Sequence, residues 1–328
     1  MLTGAVTVRR ATEADAPALL ALHRESYGCD RSMAQWRWRY LENPLRQMII
    51  VGAFAANGDC LAMFCGVVLR CRFDGEDLNI CRAGDVAVHP ELQKSVAGPK
   101  LLLRVASLFV KEVHAAGLLA SFGFPEPGLS RTLIGRCRYE VMCDINWLAR
   151  PATIDAALSR TDVPTTIRDA VPGDVDAFLR QWGESVTTGL VRDCDYLRWR
   201  YQDNPEGHYQ FVTARSRNGA LRALAVLRDD SDLADAVAIV ECMVQDGDRD
   251  AKHAIVDAAI DVAQRCGRAS IITSVSACDT EFRLMQQEHG FHVLASPYQF
   301  VYRSYQPRVS RRFLFENWYL SAGDLDFM

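Results

Sequence analysis

Two copies of one unusual nine-residue stretch constrain this chain more than any other feature of its sequence. Residues 36–44 read WRWRYLENP, and residues 197–205 read LRWRYQDNP, 161 positions later. The same spacing separates Asn57-Gly58 from Asn218-Gly219. Solenoid repeats recur about every 20 to 50 residues, whereas a period near 160 indicates a duplicated domain.

The similarity between the two halves extends on both sides of this stretch. Upstream, VTVRRATEADAPALLALHRES at 6–26 matches TTIRDAVPGDVDAFLRQWGES at 165–185. Downstream, GDVAVHP at 84–90 matches VECMVQD at 240–246, which pairs Asp85 with Glu241. The chain length of 328 residues is enough for two units that each bury a core.

The repeat also predicts where the domains lie. We expect an N-terminal domain at 1–150, a linker at 151–165 and a second domain at 166–305. The remaining residues, 306–328, have no counterpart after the first unit. We expect this segment to dock on the body, because its aromatic residues are too apolar for a free tail; they are Phe313, Phe315, Trp318 and Tyr319.

Composition narrows the classes of partner. A net charge of −4 without a polybasic character argues against general nucleic-acid binding. The sequence contains neither a signal peptide nor about 18 uninterrupted apolar residues, so we expect a cytoplasmic protein without a membrane partner. Its 11 cysteines are scattered and form no Cys-x-x-Cys pair, which favours buried thiols over a metal site.

Each half reads as one ordered series of elements. A short strand and two helices come first, and a three-stranded antiparallel meander follows, with Asn57-Gly58 as its first hairpin turn. A long apolar helix, a strand, a short helix and a final strand complete the half. The sequence therefore predicts an α/β fold with a mixed α+β sheet in each of two tandem domains, mostly antiparallel and flanked by helices.

This order of elements, together with AVHPELQKSVAGPKLL at 87–102, resembles the GNAT superfamily of N-acetyltransferases. The family's usual text is a strand ending in V-x-P, then Q/R-x-x-G-x-G/A and a helix. The resemblance implies that the loop amides hold the pyrophosphate of acetyl-CoA, because a diphosphate needs inward-pointing N–H groups at a helix N-terminus. Val96 stands where the family has its first glycine. The residues expected to contact acetyl-CoA are Val86, Val88, Gln93, Lys94, Ser95, Val96, Ala97, Gly98 and Lys100.

Transfer of an acetyl group to an amine requires that the amine lose a proton. The resemblance places a proton-relay residue in the strand before the cofactor loop, where Asp85 stands and its duplicate Glu241 is also acidic. Asp85 is the predicted base, and the alternative is a structural role, either capping a turn or pairing with Arg82. His89, Glu126 and water are the other candidate proton acceptors.

The leaving thiolate raises a second proton question. Family members often carry a tyrosine five residues before the aromatic of a final G-F or G-Y. Here Tyr139 corresponds to that aromatic, and Ile134 stands five residues earlier. The usual acid is therefore missing. Ser130 or water is the expected substitute, and departure of the thiolate without an acid is the alternative, because the CoA thiol is far more acidic than an alcohol.

The acceptor site is expected beside the first two helices. Trp36, Tyr40 and Glu126 are the predicted substrate-binding residues. Because Trp36 and Tyr40 lie four positions apart on one helical face, packing on the sheet is the competing interpretation. The duplication of both residues favours that structural role.

The resemblance implies an acetyl-CoA-dependent N-acetyltransferase for a small amine, with catalysis in the first unit and no metal. We expect one acetyl-CoA per chain, since the second unit's loop carries Asp246, Asp248 and Asp250 where a diphosphate would sit. The alternatives are transfer to a protein or peptide, transfer of another acyl group, and a non-catalytic acyl-CoA sensor. A homodimer remains compatible with the sequence.

Overall fold

The chain divides into two compact units in the computed structural model, which describes residues 5–153, 161–229, 235–245, 247–276 and 280–325. Part of the predicted linker and Asp246 lie outside the described residues. The first unit contains residues 1–70, 78–143 and 298–311, and the second contains 71–77, 144–297 and 312–328.

The first half of the chain contains six strands and five helices among its described residues. The strands are β1 (Thr7–Arg10), β2 (Met48–Phe54), β3 (Cys60–Phe73), β4 (Glu76–Val88), β5 (Ala120–Gly123) and β6 (Glu140–Pro151). The helices are α1 (Ala16–Tyr27), α2 (Met33–Tyr40), α3 (Pro90–Gln93), α4 (Ala97–Ala115) and α5 (Pro127–Cys137).

The second half repeats this order, with seven strands and five helices among its described residues. The strands are β7 (Thr165–Arg168), β8 (Thr188–Leu190), β9 (Tyr209–Arg215), β10 (Leu221–Arg228), β11 (Ala236–Val244), β12 (Ser270–Thr273) and β13 (His292–Ser304). The helices are α6 (Asp176–Ser185), α7 (Cys194–Leu197), α8 (Arg249–Arg265), α9 (Thr280–His289) and α10 (Arg311–Asn317). A π-helical turn, Arg198–Gln202, continues α7.

Strand pairing is mixed in both units. In the first unit, β1, β2 and β3 pair antiparallel, β4 pairs parallel with β5, and β5 pairs antiparallel with β13. In the second unit, β7, β9, β10 and β11 pair antiparallel, β11 pairs parallel with β12, and β12 pairs antiparallel with β6. The mixed α/β class predicted from the sequence is confirmed.

The last strand of each sheet comes from the other half of the chain. Residues 298–304 of β13 belong to the first unit, and residues 144–151 of β6 belong to the second. The sequence gives no sign of this exchange, because its predicted second domain includes 298–305. A final strand needs only the right alternation of side chains and an open sheet edge, so its own sequence does not specify which of the two sheets it joins.

The core of the first unit lies between α4 and the sheet. Leu101, Val105, Phe109 and Val113 recur every four residues on one helical face and are buried. The ring of Phe109 stacks on that of Phe64 with centroids 4.1 Å apart. This packing fixes α4, and therefore its N-terminus, against β2 to β4.

Local signals in the sequence also explain where other helices and strands near the site begin and end. The carboxylate of Asp15 accepts a hydrogen bond from the amide of Thr12 at 2.8 Å, which completes a capping box before α1. Gly58 takes φ +93° in the turn between β2 and β3, as the Asn-Gly pair predicts. After α2, the buried side-chain amide of Asn43 donates to the carbonyls of Tyr40 and Gln47.

Candidate functional site

Asp85 sits at an irregularity in β4 that turns its side chain away from the α4 core. Val88 belongs to that core, and Ala83 and Val86 pack against it. A step of three residues from Ala83 to Val86 breaks the alternation of a regular strand, and Asp85 absorbs the extra residue at φ +44°. The carboxylate consequently points to the opposite face of the sheet, toward α1 and α2.

The Asp85 carboxylate has two strong partners on that face. Arg31 donates to it, and the hydroxyl of Tyr40 donates at 2.5 Å. The side chains of Arg31 and Asp85 are 12% and 11% exposed. Burial opposes ionisation of Asp85, but the charges of Arg31 and Arg39 and the Tyr40 hydrogen bond outweigh it and hold the pKa of Asp85 well below its usual range. Asp85 is therefore a fixed anion near pH 7 and a weak proton acceptor.

The second unit contains the same three-residue arrangement. Arg192 and Tyr201, each 161 positions after its counterpart, bind Glu241 at 2.8 Å and 2.7 Å. The Arg192 and Glu241 side chains are fully buried. The repeated nonapeptide thus supplies a tyrosine that holds an acidic residue in each unit, Asp85 of β4 in the first and Glu241 of β11 in the second. We call Arg31, Tyr40 and Asp85 the first-unit triad and their counterparts the second-unit triad.

The predicted acceptor residues do not all come together. Tyr40 reaches Asp85, but Trp36 is only 2% exposed and packs on Tyr40 with ring centroids 5.6 Å apart. This burial fits the packing interpretation of Trp36. Glu126 lies apart from both, exposed at the start of α5. Burial and the charge of Glu126 raise the pKa of Tyr298 in the same unit.

His23 on α1 is a residue that sequence reasoning missed. Its side chain is 6% exposed, and its Nδ1 has no hydrogen-bond partner within the described part of the chain. Burial and the charge of Arg31 lower the pKa of His23, whereas the charge of Asp85 raises it, so the ring is neutral near pH 7. Comparison of the two repeats could have drawn attention to His23, because the matching position of the second unit holds a different residue, Trp182.

His89 has no lone pair left for catalysis. Its Nδ1 accepts a hydrogen bond from the amide of Glu91 at 3.3 Å, which caps α3. That bond leaves the proton on Nε2, which lies 2.8 Å from a carboxylate oxygen of Glu25.

The parallel strands β4 and β5 part close to Asp85. Cys81 pairs with Ser121 and Arg82 with Phe122, and β4 then runs on to Val88. The edge of β4 beyond this point turns its carbonyls outward. The hydroxyl of Tyr27 donates to the carbonyl of Val86 at 3.0 Å, and the side chain of Gln93 donates to that of Val88 at 2.8 Å. Val86 and Val88 therefore border the opening between the strands, and their carbonyls already accept hydrogen bonds within the chain.

The loop that enters α4 leaves several amides available. The Ser95 hydroxyl donates to the carbonyl of Leu92 and accepts from the amide of Ala97 at 3.2 Å. The side chain of the N-cap residue Val96 makes no capping hydrogen bond, and no described residue accepts one from the amides of Val96 or Gly98. These N–H groups lie at the positive end of a 19-residue helix, a suitable arrangement for a phosphate group.

Side chains around this N-terminus leave room for an anion. Lys94, Val96, Ala97 and Lys100 are exposed, with Val96 at 76%. Gly98 is buried, and a β-carbon added to it would lie 2.3 Å from the carbonyl oxygen of Leu92. Glycine at this position is therefore required by the close approach of α4 to α3.

The corresponding helix of the second unit is closed by its own carboxylate. Asp248 accepts from the amide of Ala251 at 3.0 Å and pairs with Arg222 at 2.6 Å. Although burial opposes ionisation, the Arg222 hydrogen bond and the Ala251 amide lower the pKa of Asp248. A cavity of about 700 Å³ lies beside Asp248 and Lys252, so space exists there. The helix N-terminus itself is already occupied by a negative charge.

The predicted thiolate acid is engaged elsewhere. Ser130 is 1% exposed, and its hydroxyl donates to Oε1 of Gln299 at 2.7 Å. Ile134, where the family often has tyrosine, is 37% exposed. Arg138 takes φ +56° just before Tyr139, the conformation that a glycine would adopt in the family's G-F or G-Y pair. The geometry of Ser130 fits a packed helical residue rather than a proton donor.

Among the described residues, no group of three or more His, Cys, Asp and Glu side chains is arranged to hold a metal ion. Within the same ranges, no helix combines the length and the apolar character needed to cross a membrane.

Comparison with known proteins agrees with this geometry. A family model described as "Acetyltransferase (GNAT) domain" matches residues 7–142. No curated protein sequence matches the chain significantly.

Three solved structures resemble the chain, each over 92% of its length. One, from Enterococcus faecalis V583, is described as a conserved protein of unknown function and probable N-acyltransferase; it is 14% identical with a TM-score of 0.65, and 73% of it is covered. A GCN5-related N-acetyltransferase from Kribbella flavida is 15% identical with a TM-score of 0.62 and 72% coverage. Another GCN5-related N-acetyltransferase, from Anabaena variabilis ATCC 29413, is 11% identical with a TM-score of 0.64 and 73% coverage.

Identities this low establish a shared fold, and the family match adds the domain type. The predicted resemblance to the GNAT superfamily is thereby confirmed for residues 7–142. The chain carries a GNAT acetyltransferase domain in residues 7–142, within a GNAT-like fold that extends through its second unit.

Proposed function

We propose that the first unit is an acetyl-CoA-dependent N-acetyltransferase that acts on the primary amine of a small molecule. The single observation that carries this proposal is the uncapped N-terminus of α4 beside the opening between β4 and β5. Bound acetyl-CoA supplies the activated thioester. The amides of Val96 and Gly98 would hold its pyrophosphate, and the side chains of Lys94 and Lys100 would add positive charge.

The reaction transfers the acetyl group directly. The nitrogen of the amine attacks the thioester carbonyl carbon, the C–N bond forms, and the C–S bond breaks with its electron pair leaving on sulfur. One proton leaves the nitrogen, and one proton can be taken up by the thiolate. A protein base that assists the first transfer should have a pKa near the working pH.

His23 fits the role of proton acceptor better than Asp85 does. His23 is neutral near pH 7 and keeps an unbonded Nδ1, whereas Asp85 is held as an anion by Arg31 and Tyr40. The charge of Asp85 would stabilise the imidazolium that forms on His23. Asp85 thus acts as a positioning residue, and a water molecule can link His23 to the amine.

The second unit is proposed to bind no acetyl-CoA. Asp248 already accepts from the Ala251 amide in the first turn of α8 and would repel a diphosphate. The N-cap residue of α8 makes a side-chain capping hydrogen bond and that of α4 does not. This difference supports acetyl-CoA binding in the first unit and not in the second.

The test is CoA release from acetyl-CoA by the purified chain over a panel of amines. We expect sustained turnover with at least one small primary amine. Thiol release that stops at one equivalent per chain would indicate a sensor, and activity only with peptides or only with longer acyl-CoA would replace the proposed substrate. Substitution of His23 by Gln should remove the acidic limb of the pH–rate profile, a change that loss of packing would not produce.

A further inference from the structure

We propose that two copies of this chain associate through helix α4 of one copy and helix α8 of the other. The exposed side of α4 carries positive charge, and the exposed side of α8 carries negative charge at the same spacing. The inference goes beyond the proposed function, because it concerns self-association and not acetyl transfer.

The exposed side of α4 carries three cations in one row. Lys100, Arg104 and Lys111 are all exposed. They follow one another at intervals of four and seven residues, which places them on one side of a helix. Within the described part of the chain, none of their side chains forms an ion pair. We call these three residues the basic row, and their charges are available to a partner.

A groove with an apolar floor lies beside the basic row. Its volume is about 410 Å³, and no acidic side chain of the described residues lines it. Its apolar residues form the partly buried edge of the first unit's core; they are Val8 of β1 and Leu103 and Leu108 of α4. Arg104 and Lys111 also line it. A surface that covers the groove must therefore bring its own negative charges.

The exposed side of α8 carries such charges. Asp250 and Asp261 are exposed, and neither forms an ion pair with another described residue. Asp257 lies between them on the same side of the helix, but it is partly buried and already interacts within the chain. The proposal therefore rests on Asp250 and Asp261, which we call the acidic pair.

The basic row and the acidic pair match in spacing as well as in charge. Lys100 and Lys111 are 11 positions apart, and so are Asp250 and Asp261. At about 1.5 Å per residue, both distances are about 16 Å along the helix, or roughly three turns. In an antiparallel pairing of α4 with α8 of another copy, Lys100 meets Asp261. Lys111 then meets Asp250 at the other end.

The positive side chains around Asp250 are occupied by other carboxylates. Three arginines line a cavity of about 500 Å³ together with Asp250; they are Arg215, Arg217 and Arg222. Their respective partners are Asp174 at 2.8 Å, Asp162 at 4.0 Å and Asp248 at 2.6 Å. The charge of Asp250 therefore remains for a cation from a second copy.

Sedimentation of the full-length chain at several concentrations tests the proposal. Exposed ion pairs are weak and are screened by salt, so we expect association in the micromolar range at about 0.1 M salt. The dissociation constant should rise about tenfold or more at about 1 M salt, because the screening length falls from about 10 Å to about 3 Å. A chain that is still monomeric at about 0.5 mM in low salt would overturn the proposal.

Two double variants test the pairing itself. Arg104→Glu with Lys111→Glu reverses the basic row, and Asp250→Lys with Asp261→Lys reverses the acidic pair. All four positions are exposed, so the fold should be retained. Each variant alone should associate about tenfold more weakly or worse, whereas an equimolar mixture should recover association, because every face then meets one of opposite charge. A mixture that stays monomeric would show that α4 and α8 do not pair.

The charge-matched control is Arg131→Glu with Arg136→Glu. Both arginines are exposed on α5, outside the proposed contact, so this variant should associate like the unaltered chain. An equal loss of association in the control would indicate a general effect of net charge and would overturn the proposal. A monomeric chain that binds phosphatidylserine vesicles through Arg104 and Lys111 would assign the basic row to an anionic membrane, which would also overturn it.

Discussion

A carboxylate placed at the start of α4 should weaken acetyl-CoA binding while leaving the fold intact. Val96 is the suitable position, because its side chain is 76% exposed at the N-terminus of the helix. The change Val96→Asp gives the first unit the kind of negative charge that Asp248 gives the second. Losing an exposed side chain should change the free energy of unfolding by less than about 0.5 kcal/mol.

The magnitude follows from the geometry. A carboxylate at this position would lie roughly 4 Å from a phosphate bound to the loop amides, where two unit charges repel by about 1 kcal/mol in water and about 4 kcal/mol at an effective dielectric constant of 20. The exposure of Val96 favours the lower half of that range. We therefore expect acetyl-CoA affinity to fall by about tenfold, which corresponds to about 1.4 kcal/mol.

Calorimetric titration with acetyl-CoA measures the effect, and Val96→Asn is the matched control. Asn has the shape of Asp without its charge, so it should bind within about threefold of the unaltered chain. High salt should narrow the gap between the two variants, because exposed charges are screened. Equal affinity of the Asp and Asn variants would show that α4 does not hold the pyrophosphate.

Four other results are expected. Acetyl-CoA titration should saturate at one ligand per chain, and a stoichiometry of two would contradict a closed second unit. Gly98→Ala should lower the free energy of unfolding by about 1 to 3 kcal/mol in urea titration, because its β-carbon would lie 2.3 Å from the Leu92 carbonyl. The control is Gly128→Ala, whose β-carbon would lie in open space and should not lower the free energy of unfolding. Asp85→Asn should cost about 3 kcal/mol in the same assay, because it breaks a buried ion pair. It should also move the acidic limb of the pH–rate profile to lower pH, because the charge of Asp85 raises the pKa of His23; a limb that stays at the same pH would contradict the link between the two residues. Burial, together with neighbouring positive charge, lowers the pKa of His289 from 6.5 to about 3, so the unfolded chain takes up a proton first as pH falls below about 6.5. The free energy of unfolding should therefore drop by up to about 1.4 kcal/mol per pH unit down to about pH 3. Hydrogen exchange at several pH values can measure this slope, and His289→Gln should reduce it.

The sequence predicted the features that depend on neighbouring residues. The Thr12 capping box, the Asn57-Gly58 turn and the helix that ends before Asn43 follow from side chains within a few positions of one another. The duplication was also evident, because two copies of a rare nonapeptide need no structure to be recognised. The loop at the start of α4 could be identified in the same way, since a small-residue turn before an apolar helix is a local pattern.

The partners of Asp85 could not be predicted, since Arg31 and Tyr40 lie 54 and 45 positions away in the chain. Nor does the alternation of side chains along β4 give any sign of the irregularity at Asp85, where φ is +44°. The role of His23 depends on the same tertiary contacts, because an isolated histidine on a helix carries no signal of burial. The protonation states of these residues are set by the charges that the fold brings together.

By itself, the sequence determined that this protein has two related α/β units and that one of them can present an uncapped helix to a phosphate group. Both conclusions rest on local patterns, which the backbone obeys wherever the segment lies. Only the tertiary structure decided that the final strands are exchanged, that Asp85 is a paired anion, and that the second-unit triad is covered by Asp324. These features depend on contacts between residues far apart in the chain, whose free energy comes from burial and charge pairing in the folded protein.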